Sequence, residues 1–376
     1  MGGVRHLYVH LPFCRSRCGY CDFVTVVGRR GQHRAYVDAL LAELELELER
    51  DVLADGLETV FLGGGTPTFT DRADLARLLD ALPEAPELTV EANPETVTPA
   101  LAELLRSRGV TRASLGAQSF RPHLLEVLER RAGPDDVRGA VHALRDAGFA
   151  NISLDLLYGI PGQSAADLEA DLADALALEP EHLSCYELEA KPGTRFTHAH
   201  GDALAQQADA MEDYFERVVD TVTAGGFRWY ETANFCREPA LASGRDLRAR
   251  HNLAYWTARD YLGLGIGAVS TVAGVRRRNT PRLRPYLDAV LAGEPPPREL
   301  EVLDVETRAR ERLLLGLRLD ESLPLEPVEG ILDRSAAERL LTGGLVELTA
   351  NGGGETLRLT RRGRFLGGGV TAELVR

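Results

Sequence analysis

"TVFLGGGTPTFTDRADLARLLDALPEAPELTVEANP", residues 59–94, decides the fold. An apolar, strand-like run (59–65) passes through a glycine-rich turn into a segment of helical period (71–82). A second strand-like run (88–94) follows. Strand, helix and strand in succession imply parallel neighbours joined by a right-handed crossover. Working outward, the alternation continues on both sides. Strand-like runs recur at 7–13, 112–118, 151–160 and 182–189, with helical segments at 33–54, 98–108, 134–148 and 164–178. "ALLAELELELER" (39–50) alternates like a strand. Val37, Leu40, Leu41, Leu44 and Leu48 nevertheless keep helical spacing, and Glu and Leu are good helix formers, so it reads as helix. Six such units are too few for an eight-stranded barrel. The expected fold is α/β, a partial (β/α)6 barrel over residues 1–200. Barrel chemistry gathers at the C-terminal ends of strands. Cys14, Gly63–Thr66, Glu91, Gln118 and Asp155 all fall there.

A second region follows: a helix (203–224), "FRWYETANF" (227–235), an arginine-rich loop, "RHNLAYW" (250–256) and "YLGLGIGAVS" (261–270). "GVRRRNT" (274–280) reads as a solvated loop, although Arg276–Arg278 could meet an anionic ligand. "GEPPPRE" (293–299) breaks the chain, so the expected units are 201–295, an α+β extension, and 296–376. The last has helical stretches at 305–318 and 335–342. "LVELTANGGGETLRLT" (345–360) adds two strands around a glycine-rich turn, which suggests a small winged-helix-like domain. A net charge of −14 argues against a nucleic-acid partner. No apolar run reaches the length of a spanning helix, and the N-terminus lacks the apolar core of a secretory signal. A cytoplasmic protein is expected, and its acidic surface does not exclude peripheral contact with a membrane partner.

"HLPFCRSRCGYCDFVT" (10–25) carries three of the five cysteines, Cys14, Cys18 and Cys21, in a C-x3-C-x2-C spacing. Scarce, clustered cysteine indicates a metal site rather than a disulfide framework and fits a reducing compartment. Thiolates favour iron–sulfur clusters or zinc. A [4Fe–4S] cluster on three cysteines keeps one iron open for a small molecule. A zinc site completed by His10 is the alternative. Cys185 and Cys236 read as packing residues.

With Tyr20 before its last cysteine, this spacing resembles the signature of the radical S-adenosylmethionine (SAM) superfamily. The resemblance implies a [4Fe–4S] cluster whose open iron takes SAM. "GGGTPT" (63–68) resembles that superfamily's loop for the SAM amino group, placing Gly64, Gly65 and Thr66 there. On its own, such a loop is more often a tight turn. Glu91, Gln118, Asp155, Tyr8 (six residues before Cys14) and Arg130 (twelve after Gln118) extend the match to the coproporphyrinogen-oxidase-like branch. Arg130 would there pair with the SAM carboxylate, which suits a guanidinium fork.

Within that branch the whole chain most resembles the HemW haem chaperones, close relatives of the oxygen-independent coproporphyrinogen III oxidase. The oxidase pattern has a further cysteine where this chain has Phe23, and a longer segment before the first strand. "HNLAYW" (251–256) resembles a mark of the chaperone group. It implies haem contact through His251, Asn252, Tyr255 and Trp256, where imidazole could meet iron and the aromatics a porphyrin. The plainer alternative is a buried histidine bonded to a carbonyl beside two core aromatics. Val269 stands where that group often carries a histidine. The resemblance implies a carrier that takes haem as cargo to respiratory haem proteins. The alternatives are a radical enzyme acting on a tetrapyrrole and, more weakly, a methyltransferase.

Overall fold

The computed structural model describes residues 3–191, 195–238, 245–351 and 353–376. Six strands, β1 (His6–Leu11), β2 (Thr59–Gly64), β3 (Glu87–Ala92), β4 (Arg112–Gln118), β5 (Ile152–Tyr158) and β6 (His182–Glu187), pair in parallel in chain order. The crossovers carry α1 (His33–Leu48), α2 (Arg72–Ala81), α3 (Pro99–Ser107), α4 (Pro122–Val127), α5 (Pro134–Asp146) and α6 (Ala165–Ala177). Covered on both faces, strands such as β2 are almost wholly buried, which is why they read as continuous apolar runs. Helix starts are fixed locally. Asp71 accepts from the Ala73 amide at α2, and Ser164 with Asp167 forms a capping box at α6.

The helix expected in "ALLAELELELER" is present as α1, and its glutamates explain the misleading alternation. Glu43 and Glu47 are fully buried. Glu43 accepts hydrogen bonds from the Gly265 amide (2.8 Å), the Tyr286 hydroxyl (2.7 Å) and Asn279 (2.8 Å). The Arg298 guanidinium spans Glu43 (3.1 Å) and Glu47 (2.6 Å). The acidic face of α1 thus faces inward and holds a much later part of the chain.

That later part joins the same sheet. Helix α7 (Arg195–Gln207) runs across residue 201. A 3-10 turn at Ala208–Ala210 separates it from α8 (Met211–Ala224), so the single helix expected over 203–224 is two. Tertiary contacts set the break: the Tyr214 hydroxyl donates to the Gln163 carbonyl (2.7 Å), and Met211 presses on Gly159. Strands β7 (Phe227–Trp229) and β8 (Asn234–Arg237) add antiparallel beyond β6. After α9 (Arg250–Trp256), β9 (Leu262–Leu264) pairs parallel to β1, with Leu7 opposite Leu262. The order is β9-β1-β2-β3-β4-β5-β6-β8-β7, an open sheet.

"GVRRRNT" is not a loop. Strand β11 (Val275–Asn279) lies between β10 (Val269–Val272) and β12 (Arg298–Val302) in an antiparallel sheet, with α10 (Leu283–Val290) in between along the chain. Arg276 and Arg278 stand opposite Glu301 and Glu299, so cross-strand charge pairing stabilises a run that looks too basic for a strand. Beyond it, α11 (Val305–Gly316), α12 (Arg334–Thr342) and a three-stranded sheet of β13 (Leu323–Pro324), β14 (Val346–Asn351) and β15 (Gly354–Leu359) build a winged-helix-like unit with its own core. It is tied back by Arg228 on Asp320 (2.7 and 2.9 Å) and by Arg318 on the buried Glu231 (2.6 Å).

Candidate cofactor site at the strand ends

Past β1, Phe13 and Cys14 pair with Val26 and Val27, which clamps both ends of the cysteine loop. Cys14 is buried, and Cys18 and Cys21 are half-buried. Burial pushes the Cys14 thiol up, the nearby Cys21 and Cys18 add to this, and a Thr66 hydroxyl bond (3.5 Å) and Arg130 oppose it. His10 does not complete a zinc site with these cysteines. Its Nε2 faces the Val24 carbonyl (2.8 Å) and must carry the proton, and its Nδ1 then accepts from the Tyr8 hydroxyl (3.0 Å). No lone pair is left for zinc. Among the described residues, no three or more His, Cys, Asp or Glu side chains converge as for a single ion. A donor set of three thiols without a side-chain fourth ligand fits the cluster.

A polar chain links the cysteines to the strand ends. Thr66 bonds the Cys14 sulfur, Asn93 donates to Thr66 (3.1 Å), and Arg130 donates to Asn93 (2.9 Å), to the Gly116 carbonyl (2.7 Å) and to the Cys18 sulfur (3.5 Å). The Arg130 Nε is buried without a partner. Tyr20 packs its ring edge-on to Phe196 (6.3 Å) and feels Arg130 as a neighbouring charge. The sequence reading missed Asn93, whose only signal is its place beside Glu91 at the end of β3.

Glu91 accepts from the Gly64 amide (3.2 Å). Burial, then the charge of Asp155, pushes its carboxyl up to about 7, against the pull of Gly64 and Arg112. Burial likewise raises Asp155, opposed by Arg112 and by serines including Ser114 (3.3 Å). Arg112, also missed, is a buried cation at the start of β4. Gln118 sits at a bulge with φ +66°, a left-handed backbone that re-aims its side chain over Gly116. The glycine loop serves close packing. A Cβ on Gly64 would lie 2.4 Å from the His10 ring, and one on Gly65 would lie 2.5 Å from the Pro12 carbonyl.

"HNLAYW" forms α9, whose first amides, Arg250 and His251, donate to Glu87 (3.1 and 3.0 Å). His251 is only 1% exposed. Its Nδ1 meets the Thr59 hydroxyl (2.7 Å) and its Nε2 the Tyr255 hydroxyl (2.8 Å). Burial pushes it down to about 3, so it is neutral. Trp256 packs near Tyr230 (6.3 Å). Tyr255 alone of the segment lines two adjoining cavities. One, of about 290 Å³, is shared with Tyr8, Phe23 and Val269; the other, of about 500 Å³, faces α11. The structure therefore places Thr66 on Cys14, Arg130 on Cys18, and Asp155 close enough to Glu91 to act on its charge. It places His251, Asn252 and Trp256 outside the lining of both cavities.

The family model of the radical SAM superfamily matches residues 8–175, and that of the HemN C-terminal domain matches residues 303–366. A Mycobacterium tuberculosis protein named heme chaperone HemW is 35% identical over 98% of this chain and 94% of its own length. A Bacillus subtilis protein of the same name is 33% identical over 84% and 83%, and an Escherichia coli one 36% identical over 70% and 68%. The solved structure of the E. coli coproporphyrinogen III oxidase HemN, a radical SAM enzyme, superposes with a TM-score of 0.82 over 99% of this chain and 90% of that one. At 22% identity it shows the fold. With the superfamily's barrel, its cysteine loop and kinship along almost the whole length, the chain belongs to the HemW family of radical SAM proteins.

Proposed function

We infer that the protein is a cytoplasmic haem carrier built on a radical-SAM frame, passing haem to respiratory haem proteins. Full-length kinship with proteins named haem chaperones, joined to an intact strand-end frame, carries this reading. Cys14, Cys18 and Cys21 would hold a [4Fe–4S] cluster. SAM would lie among Tyr8, Tyr20, Gly64, Gly65, Thr66, Glu91, Gln118, Arg130 and Asp155. When bound, the cluster supplies an electron to a ligand on its open iron. The protein's own residues do the rest. Arg130, already held by Asn93 and the Gly116 carbonyl, offers a fixed fork to a carboxylate, and Glu91 and Asp155 offer oxygens to ammonium and hydroxyl groups. The barrel (1–200) would handle SAM, and the extension (201–295) and last unit (296–376) the haem.

The intact SAM frame favours a second reading, a radical enzyme acting on a tetrapyrrole. One experiment separates them: mass spectrometry of the tetrapyrrole recovered after anaerobic incubation of cluster-reconstituted protein with haem, SAM and a reductant. The carrier returns unchanged haem that co-elutes with it. A mass shift with 5′-deoxyadenosine overturns the carrier reading in favour of the enzyme, and absence of bound haem overturns haem as cargo.

A further inference from the structure

The larger Tyr255 cavity lies between α9, the β10–β11 sheet and α11. Its volume, about 500 Å³, lies within the usual range for ligand sites, about 300–1,000 Å³. One wall is aromatic: Tyr255 and Tyr261 meet edge-to-face with ring centres 4.6 Å apart. Leu303, Leu315 and Pro327 add apolar surface, and the exposed Val305 stands at the rim, so the cleft opens outward.

The charges lining this cleft do not balance. Arg259 is taken by Glu58 (3.0 Å), and Arg276 by Glu301 and Glu311. Asp260 accepts the Ala273 amide, and Glu311 is spent on Arg276. Arg308 and Arg312 remain. They are four apart on α11, hence on one face, where like charges destabilise a helix. Among the described residues neither has a side-chain hydrogen bond or ion pair, and the Arg312 Nε is buried without a partner. Asp304, which feels Arg308, is turned to the helix end, where its Oδ1 accepts the Thr307 amide as the cap. Two unpaired guanidiniums beside an aromatic wall suit a flat, apolar molecule with two carboxylates.

We propose that this cleft holds the haem cargo, with Arg308 and Arg312 taking its two propionates and its ring laid against Tyr255 and Tyr261. The proposal rests on the haem-carrier reading. It gives His251 a positioning role, holding the Tyr255 hydroxyl from behind.

Titration of the full chain with ferric haem and with its dimethyl ester, read by the Soret band, tests it. The wild-type protein prefers the free acid by roughly tenfold or more, as expected for charge-assisted pairs. Arg308→Gln/Arg312→Gln loses that preference by weakening haem binding while ester binding stays. Arg308→Glu, at an exposed position, weakens haem binding alone and controls for folding. A double variant that keeps the full preference overturns the cleft, as does a wild-type protein that binds acid and ester equally; both leave the cargo reading standing. Wild-type protein that binds neither ligand overturns the cargo reading, and the cleft assignment with it.

Discussion

Glu91 keeps a proton at a pH where a glutamate in water has lost it. Its carboxyl titrates near 7 in the fold against 4.5 as the reference. Between those values the folded state binds the extra proton, so this residue's contribution is full below pH 4.5 and is lost as pH rises through 7. Glu91→Gln is accordingly expected to gain stability relative to wild type between pH 5 and 7.5, read as a growing difference in Tm. Binding a cationic amino group there should expel the proton, detectable as buffer-dependent binding heat. The cysteines carry a simpler expectation. In a Cys14/Cys18/Cys21→Ala variant reconstituted with iron and sulfide, the cluster absorbance is absent, and its full retention would refute the assignment. These residues were legible because their signals are local: a spacing, a glycine turn, a carboxylate at a strand end. Asn93 and Arg112 were not, since nothing in the sequence says that one bridges Thr66 to Arg130 or that the other lies buried near two carboxylates. His251 and Tyr255 were visible, but the bonds His251 makes to Tyr255 and to Thr59 were not.

At the scale of elements, α1 shows how the rest of the chain is held. Arg298 sits across Glu43 and Glu47, two buried carboxylates on adjacent turns. Arg298→Met leaves Glu43 without its cation and Glu47 with only the longer contacts of Arg50 (3.4 Å) and Arg277 (4.0 Å). It should cost about 3–5 kcal/mol, the usual cost of breaking a buried pair from one side, read as a lowered urea midpoint. Every strand of the barrel proper was legible because each carries an apolar run long enough to read as buried strand. β11 was hidden because its arginines find their acidic neighbours on other elements, Arg276 on Glu301 and Glu311 and Arg277 near Glu47. The break between α7 and α8 was hidden for a similar reason, since Gln163 and Gly159 set it from another part of the chain.

For the whole molecule, the sheet is the decisive fact. Both of its outer edges are supplied by residues 227–264, β9 beside β1 and β8 with β7 beside β6. A chain ending at residue 200 would leave β1 and β6 as bare edges with unpaired amides and carbonyls. Such a fragment is expected to aggregate, where the full chain elutes as a discrete species on size exclusion; a monodisperse fragment would contradict this. The pairing of β1 with a strand so distant has a further consequence. Translation makes β1 and the cysteine loop first, yet Leu7 must wait for Leu262, and Val24, whose carbonyl holds His10, must wait for Gly267 to pack against it. Throughout that interval the three thiols stand at an open rim. The cysteine loop therefore gains its last support only when β9 arrives.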